Sequence, residues 1–187
     1  MSGFSFGVTI CAMRHFTGHT LIELVMVTAL LGIIAFVAFI SITSYKTHHL
    51  YAAAERLAND LRYAKNLALT SARWHGVSFS GSTYTLYETD GATDTNIKNP
   101  AKPAEDYVVN LLADYDDVSI SALVNLSGSK IEFSPSGVPY NDKNGSALAA
   151  AGSVLLAGVG AGGGCACGNV ALLSVNIAAQ TGRIYIQ

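Results

Sequence analysis

Hydrophobic positions fall into two regimes along the first third of the chain. Across residues 24–42 there is no charged side chain over 19 positions. A helix of that length measures about 28 Å, close to the hydrocarbon thickness of a bilayer. From Leu50 the pattern narrows to a single face: Leu50, Ala54, Leu57, Leu61, Ala64 and Ala68 recur at three- and four-residue steps. Glu55, Arg56, Asn59, Asp60, Arg62, Lys65 and Asn66 fill much of the remainder as a polar face. No proline or glycine falls between Ile33 and His75. The pattern therefore predicts one continuous helix in two halves: a membrane-spanning segment over 19–44 and an amphipathic segment over 45–75. Gly76 is expected to close it as a C-terminal cap.

Beyond Gly76 the composition turns to β-branched and aromatic residues. Residues 77–79 and 83–87, divided by Ser80-Gly81-Ser82, predict a hairpin. Residues 107–112, 118–124 and 130–133 predict further strands. The polar stretch 90–105, with Asp90-Gly91, Pro100 and Pro103, reads as a disordered or partner-facing insertion. Residues 147–168 are assigned no strand. Their glycine run from Gly158 to Gly164 is a flexible loop rather than a phosphate cradle, because no Gly-Lys-Ser/Thr follows. The expected fold class is α+β: a long N-terminal helix packed on an antiparallel β-rich head spanning 76–187.

At 187 residues the chain fits one domain plus an anchor. A net charge of −2 and 13% charged residues give no phosphate-binding surface driven by overall charge. In residues 1–18 the bases Arg14 and His15 follow the apolar part, so an ordinary secretory signal does not fit. Translation from Met1 and from Met13 both stay open. His48 and His49 point about 100° apart on a helix and do not converge on a metal. Asp114, Asp116 and Asp117 lack the EF-hand pattern and read as a solvated turn. Cys165-Ala166-Cys167 is either a tight disulfide in a glycine-flanked turn or a pair of free thiols, with no second pair to complete a metal site. There is no Gly-x-Ser-x-Gly, and all five histidines lie at or before His75. The expectation is no enzyme, no cofactor and no metal.

Four short stretches carry a family resemblance. Gly18-His19-Thr20-Leu21-Ile22-Glu23-Leu24-Val25 resembles the type III signal of prepilins and pseudopilins, with His19 where the family usually has Phe. Leu57-Ala58-Asn59-Asp60-Leu61-Arg62-Tyr63-Ala64-Lys65, Phe133-Ser134-Pro135-Ser136-Gly137 and the closing Gly182-Arg183 are similar to landmarks of the FimT/GspH branch of pilin-like proteins. The resemblance implies a pilin-like fold and removal of residues 1–18 by a prepilin peptidase. That enzyme would cut between Gly18 and His19 and methylate the new His19 amine. It further implies that Glu23 accepts the amine of a neighbouring subunit when pilins or pseudopilins pack into a filament. The implied location is a bacterial inner membrane, crossed once, with the head in the periplasm. The implied role is a minor subunit of a type II secretion pseudopilus. The alternative is a minor type IV pilin for pilus initiation or DNA uptake, with Arg183 as its candidate nucleic-acid contact. Of the Gly-Arg-x-Arg pattern linked to that binding, this chain has only the first Arg.

Overall fold

The computed structural model describes residues 20–116, 118–158 and 171–187, without the side chains of 37–47 and 171. It divides into two units, Met1–Ser41 and Ile42–Gln187. Helix α1 runs Leu21–Ser71. In the first unit the described residues of α1 leave their apolar side chains uncovered, from Leu21 at 83% exposed to Phe36 at 68%. Among the described residues no helix is long and apolar enough to cross a membrane. The span expected over 19–44 reaches past the side chains described in this stretch, which end at Phe36.

In the second unit the stripe read from the sequence is the buried face of α1. Leu50, Ala54, Leu57, Leu61, Ala64 and Ala68 are all buried, and Ala53 and Ala58 join them. Small residues at most of these positions let the backbone of α1 lie close to the strands. The two fully buried leucines, Leu57 and Leu61, contribute about 2 kcal/mol each. The helix ends at Ser71 rather than at Gly76, because Ala72 takes a left-handed φ of 55° and β1 begins at Trp74. Gly76 lies inside that strand. A Cβ there would stand 2.7 Å from the Tyr87 ring and 2.9 Å from Glu132 Cγ. Close approach is what requires this glycine, not a cap.

The head is antiparallel throughout. Strands β1 (Trp74–Ser80) and β2 (Thr83–Thr89) form the expected hairpin, closing at Ser80↔Thr83 with Gly81 at φ 59°. β8 (Lys130–Phe133) pairs with the other edge of β1, and β9 (Pro139–Tyr140) extends the sheet. The far edge of β2 is shared by β3 (Asp94–Asn96) and β6 (Val108–Asn110). A second sheet has the order β12 (Ile184–Ile186), β11 (Ala171–Ile177), β10 (Gly152–Gly158), β7 (Val118–Val124). Val77, Phe79, Tyr84, Leu86, Ile131 and Phe133 of the first sheet, with Val154, Leu156, Val175 and Ile177 of the second, close one core with the stripe of α1.

Three expectations are corrected. The polar stretch 90–105 is ordered by β3 and by a small hairpin of β4 (Lys98–Asn99) and β5 (Lys102–Asp106), which Lys98 and Asp106 tie at 2.6 Å. The strand expected over 107–112 stops at Asn110, whose side chain accepts from Leu112 N and Ala113 N and starts the short helix α2 (Leu111–Asp114). Residues 152–158, assigned no strand from the sequence, form β10 between β7 and β11. Val154, Leu155 and Leu156 make an apolar run too short and too close to glycine to stand out.

Candidate functional site

Glu23 lies in the first turn of α1, exposed, where the helix dipole favours a carboxylate. With Leu24, Val27 and Thr28 it lines an open groove of about 280 Å³. Gly18, His19, Cys165 and Cys167 lie outside the described residues, as does Asp117 of the acidic turn. Arg183 belongs to the other unit and is exposed beside the turn before β12.

The polar face of α1 is not all solvated. Asp60, assigned from periodicity to that face, is 5% exposed. Its carboxylate accepts from the Tyr84 hydroxyl at 2.6 Å, the Tyr107 hydroxyl at 2.8 Å and Arg56 Nε at 3.1 Å. Burial, followed by the neighbouring carboxylate, pushes both phenols above their ordinary values. They therefore stay protonated donors at neutral pH. One side chain of α1 thus fixes two segments of the first sheet, β2 through Tyr84 and the entry to β6 through Tyr107.

One and a half turns further on, three landmarks of the sequence meet. Lys65 Nζ donates to Thr181 O at 2.8 Å and Gly182 O at 3.2 Å, and Arg62 donates to Ile184 O at 3.1 Å. The turn after β8 packs against the same lysine: a Cβ at Gly137 would stand 3.1 Å from Lys65 Cε. Gly137 itself is left-handed at φ 79°, and its N–H donates to Ser134 O at 2.8 Å. A Cβ at Gly182 would stand 2.6 Å from Gly137 O. The helix motif, the Phe133–Gly137 turn and the Gly182-Arg183 turn are parts of one junction joining α1 to both sheets. With Lys65 and Arg62 bonded to carbonyls there, Arg183 is the cation near this turn with no such bond among the described residues.

A second buried carboxylate, Glu132, lies on the opposite face of the first sheet. It accepts from the Tyr87 hydroxyl at 2.7 Å, pairs with Lys130 at 3.0 Å, and takes a hydrogen bond from Lys143 N. Gly76 provides the room for this pair. His75, on the helix side of β1, is 4% exposed. The Ser71 hydroxyl donates to Leu67 O at 2.7 Å, so at 2.8 Å it accepts from His75 Nε2. Nδ1 is then the bare nitrogen, buried without a partner among the described residues. Burial pushes the imidazole below its ordinary value, with Glu88 opposing and Arg73 adding. Well above about pH 6.5 neither the folded nor the unfolded chain protonates this group; between that value and the depressed folded one mainly the unfolded chain does, and below both values each does. Stability should fall as pH drops from about 6.5 to the depressed folded value, then level off. Melting curves between pH 7 and pH 5 should show this loss in the wild type and a smaller one in His75→Gln. Equal pH dependence in the two chains would contradict it. Asp90, Asp106 and Asp142, held low by hydrogen bonds, titrate below that window.

A helix whose described apolar residues over 21–36 are uncovered, and whose later stripe is buried against antiparallel sheets, defines a pilin-like protein, of the class that comprises type II secretion pseudopilins and type IV minor pilins. Residues 53–176 match the family model described as Type II transport protein GspH, and the chain belongs to that family. Among solved structures it is similar to the minor pseudopilin EpsH from the type 2 secretion system of Vibrio cholerae. That similarity has a TM-score of 0.52 and 10% identity, over 74% of this chain and 96% of that one. It also resembles the type IV minor pilin FimU of Pseudomonas aeruginosa, with a TM-score of 0.45 and 14% identity, over 75% and 90%. No curated protein matches the sequence.

Proposed function

We propose that this chain is a minor structural subunit of a periplasmic pseudopilus that supports type II secretion, held in the inner membrane until assembly. The observation that carries the reading is the uncovered apolar surface of α1 over the described residues 21–36. In water such a surface is a liability of tens of square ångströms per side chain; a bilayer or a bundle of like helices removes it. The uncharged run over residues 24–42 supplies the length for either setting.

Glu23 supports the second setting. A carboxylate among apolar helices is unfavourable alone and strongly coupled to a cation of opposite sign. The amine freed by cleavage between Gly18 and His19 would be such a cation on a neighbouring subunit. The head acts as a rigid structural module, and the partners are prepilin peptidase and other pilin-like subunits. For DNA uptake, Arg183 is the one cation near the 180–183 turn without a carbonyl partner among the described residues, and about one phosphate contact is too few for an electrostatic binding surface.

The processing step has a direct test. In cells with prepilin peptidase the chain should begin at His19, with or without a methyl group. In cells lacking the peptidase the precursor should persist uncut. The same N-terminus in both would refute the proposed maturation.

A further inference from the structure

The edges of the two sheets are unequal. β3 and β12 have three residues, β6 has three, and β9 has two and starts with Pro139. Short strands, charges and prolines are the usual means of keeping a sheet edge from pairing. β7 has none of these three, and its one protective irregularity is a bulge. Val118–Val124 is seven residues long, without charge or proline. One edge pairs with β10, and among the described residues no backbone hydrogen bond reaches the other. The register jumps from Leu155↔Ala122 to Leu156↔Ile120, so Ser121 is an extra residue and the strand bends there. α2 packs near β7 and Val118 is buried, so the open stretch lies at and beyond the bend. Ser121, Ala122 and Val124 are exposed there, Val124 at 43%.

A pocket of about 410 Å³ opens at that same end of β7, walled by Leu123, Leu126 and Leu148. At its polar rim Asn125 donates to Ala151 O at 2.9 Å, and Asn141 accepts from Ser127 N at 3.2 Å. No residue lining it carries a charge. We propose that β7 is a strand-addition site, where an extended, uncharged segment of another subunit of the filament pairs with the open edge and seats an apolar side chain in this pocket. Only an extended backbone matches a row of free amides and carbonyls, and the pocket adds side-chain selectivity to that pairing. A charged segment would lose its hydration against a strand that offers no counter-charge.

The inference rests on the filament reading above, so assembly is scored separately. Hydrogen exchange is measured on the full-length chain in detergent and in isolated filaments, with a photo-cross-linking benzoylphenylalanine at Ala122. On assembly, exchange in the 121–124 stretch should slow by about tenfold, while Ile184–Ile186 should change little. Cross-links should map to one uncharged segment of a different subunit, and Val124→Lys, introduced beside the cross-linking residue, should remove both signals. A chain present in filaments with unchanged exchange at β7 overturns the strand-addition site alone. Cross-links only between two copies of this chain overturn the assigned partner in favour of self-pairing. A chain that never enters filaments overturns both readings.

Discussion

Asp60→Ala should destabilise the head by about 3–5 kcal/mol, because it leaves two buried phenols without an acceptor and Arg56 without its partner. Asp60 receives three hydrogen bonds at 2.6–3.1 Å within a site only 5% exposed. The two phenols are buried away from solvent that could replace the lost oxygens, whereas the Arg56 side chain, 43% exposed, can turn to water. Against a typical total of about 5–15 kcal/mol the loss is a large share, and the melting temperature should drop by about 10 °C. Asp60→Asn keeps one acceptor and the shape, and should lose less. Thermal and urea unfolding of the full chain in detergent measures both. A change below about 1 kcal/mol for Asp60→Ala would mean that this carboxylate does not hold α1 to the sheet.

Gly182→Ala should be nearly as severe, and the molecule contains its own control. Gly182 and Gly81 share a φ of 59°. A left-handed backbone costs an alanine about 1–2 kcal/mol at either position. At Gly81 a Cβ meets nothing within 4 Å, whereas at Gly182 it meets Gly137 O at 2.6 Å and Lys65 Cε at 3.5 Å. Those contacts are backbone and an engaged lysine, neither of which moves without opening the junction. Overlap of this kind adds about 1–3 kcal/mol. Gly182→Ala should therefore exceed Gly81→Ala by at least about 1 kcal/mol in unfolding free energy. Equal losses would mean that the two turns do not press against each other.

Much of this architecture was legible in the sequence because it rests on local period. The stripe Leu50 to Ala68 repeats with the helix, and the hairpin around Gly81 carries both alternation and a turn glycine. What escaped was non-local. Tyr84 and Tyr107 lie 24 and 47 residues from Asp60, and period assigns Asp60 to the wet face because it cannot know they are there. Gly76 likewise looked like a cap. Its reason is the Tyr87–Glu132 pair on the neighbouring strands, visible only once β1 is flanked by β2 and β8. The landmarks at Lys65, Gly137 and Gly182 could be read one by one as a family resemblance. Their meeting at one junction is the physical reason those residue types stand there.

In the proposed function, the apolar half of α1 packs into a filament through Glu23. The most direct measurement is the distribution of the full-length chain between membrane and isolated filament fractions, for the wild type and for Glu23→Ala. The wild type should be found in filaments, and Glu23→Ala should mature normally yet remain in the membrane. Glu23→Ala entering filaments as the wild type does, or a wild type absent from them, would contradict the claim.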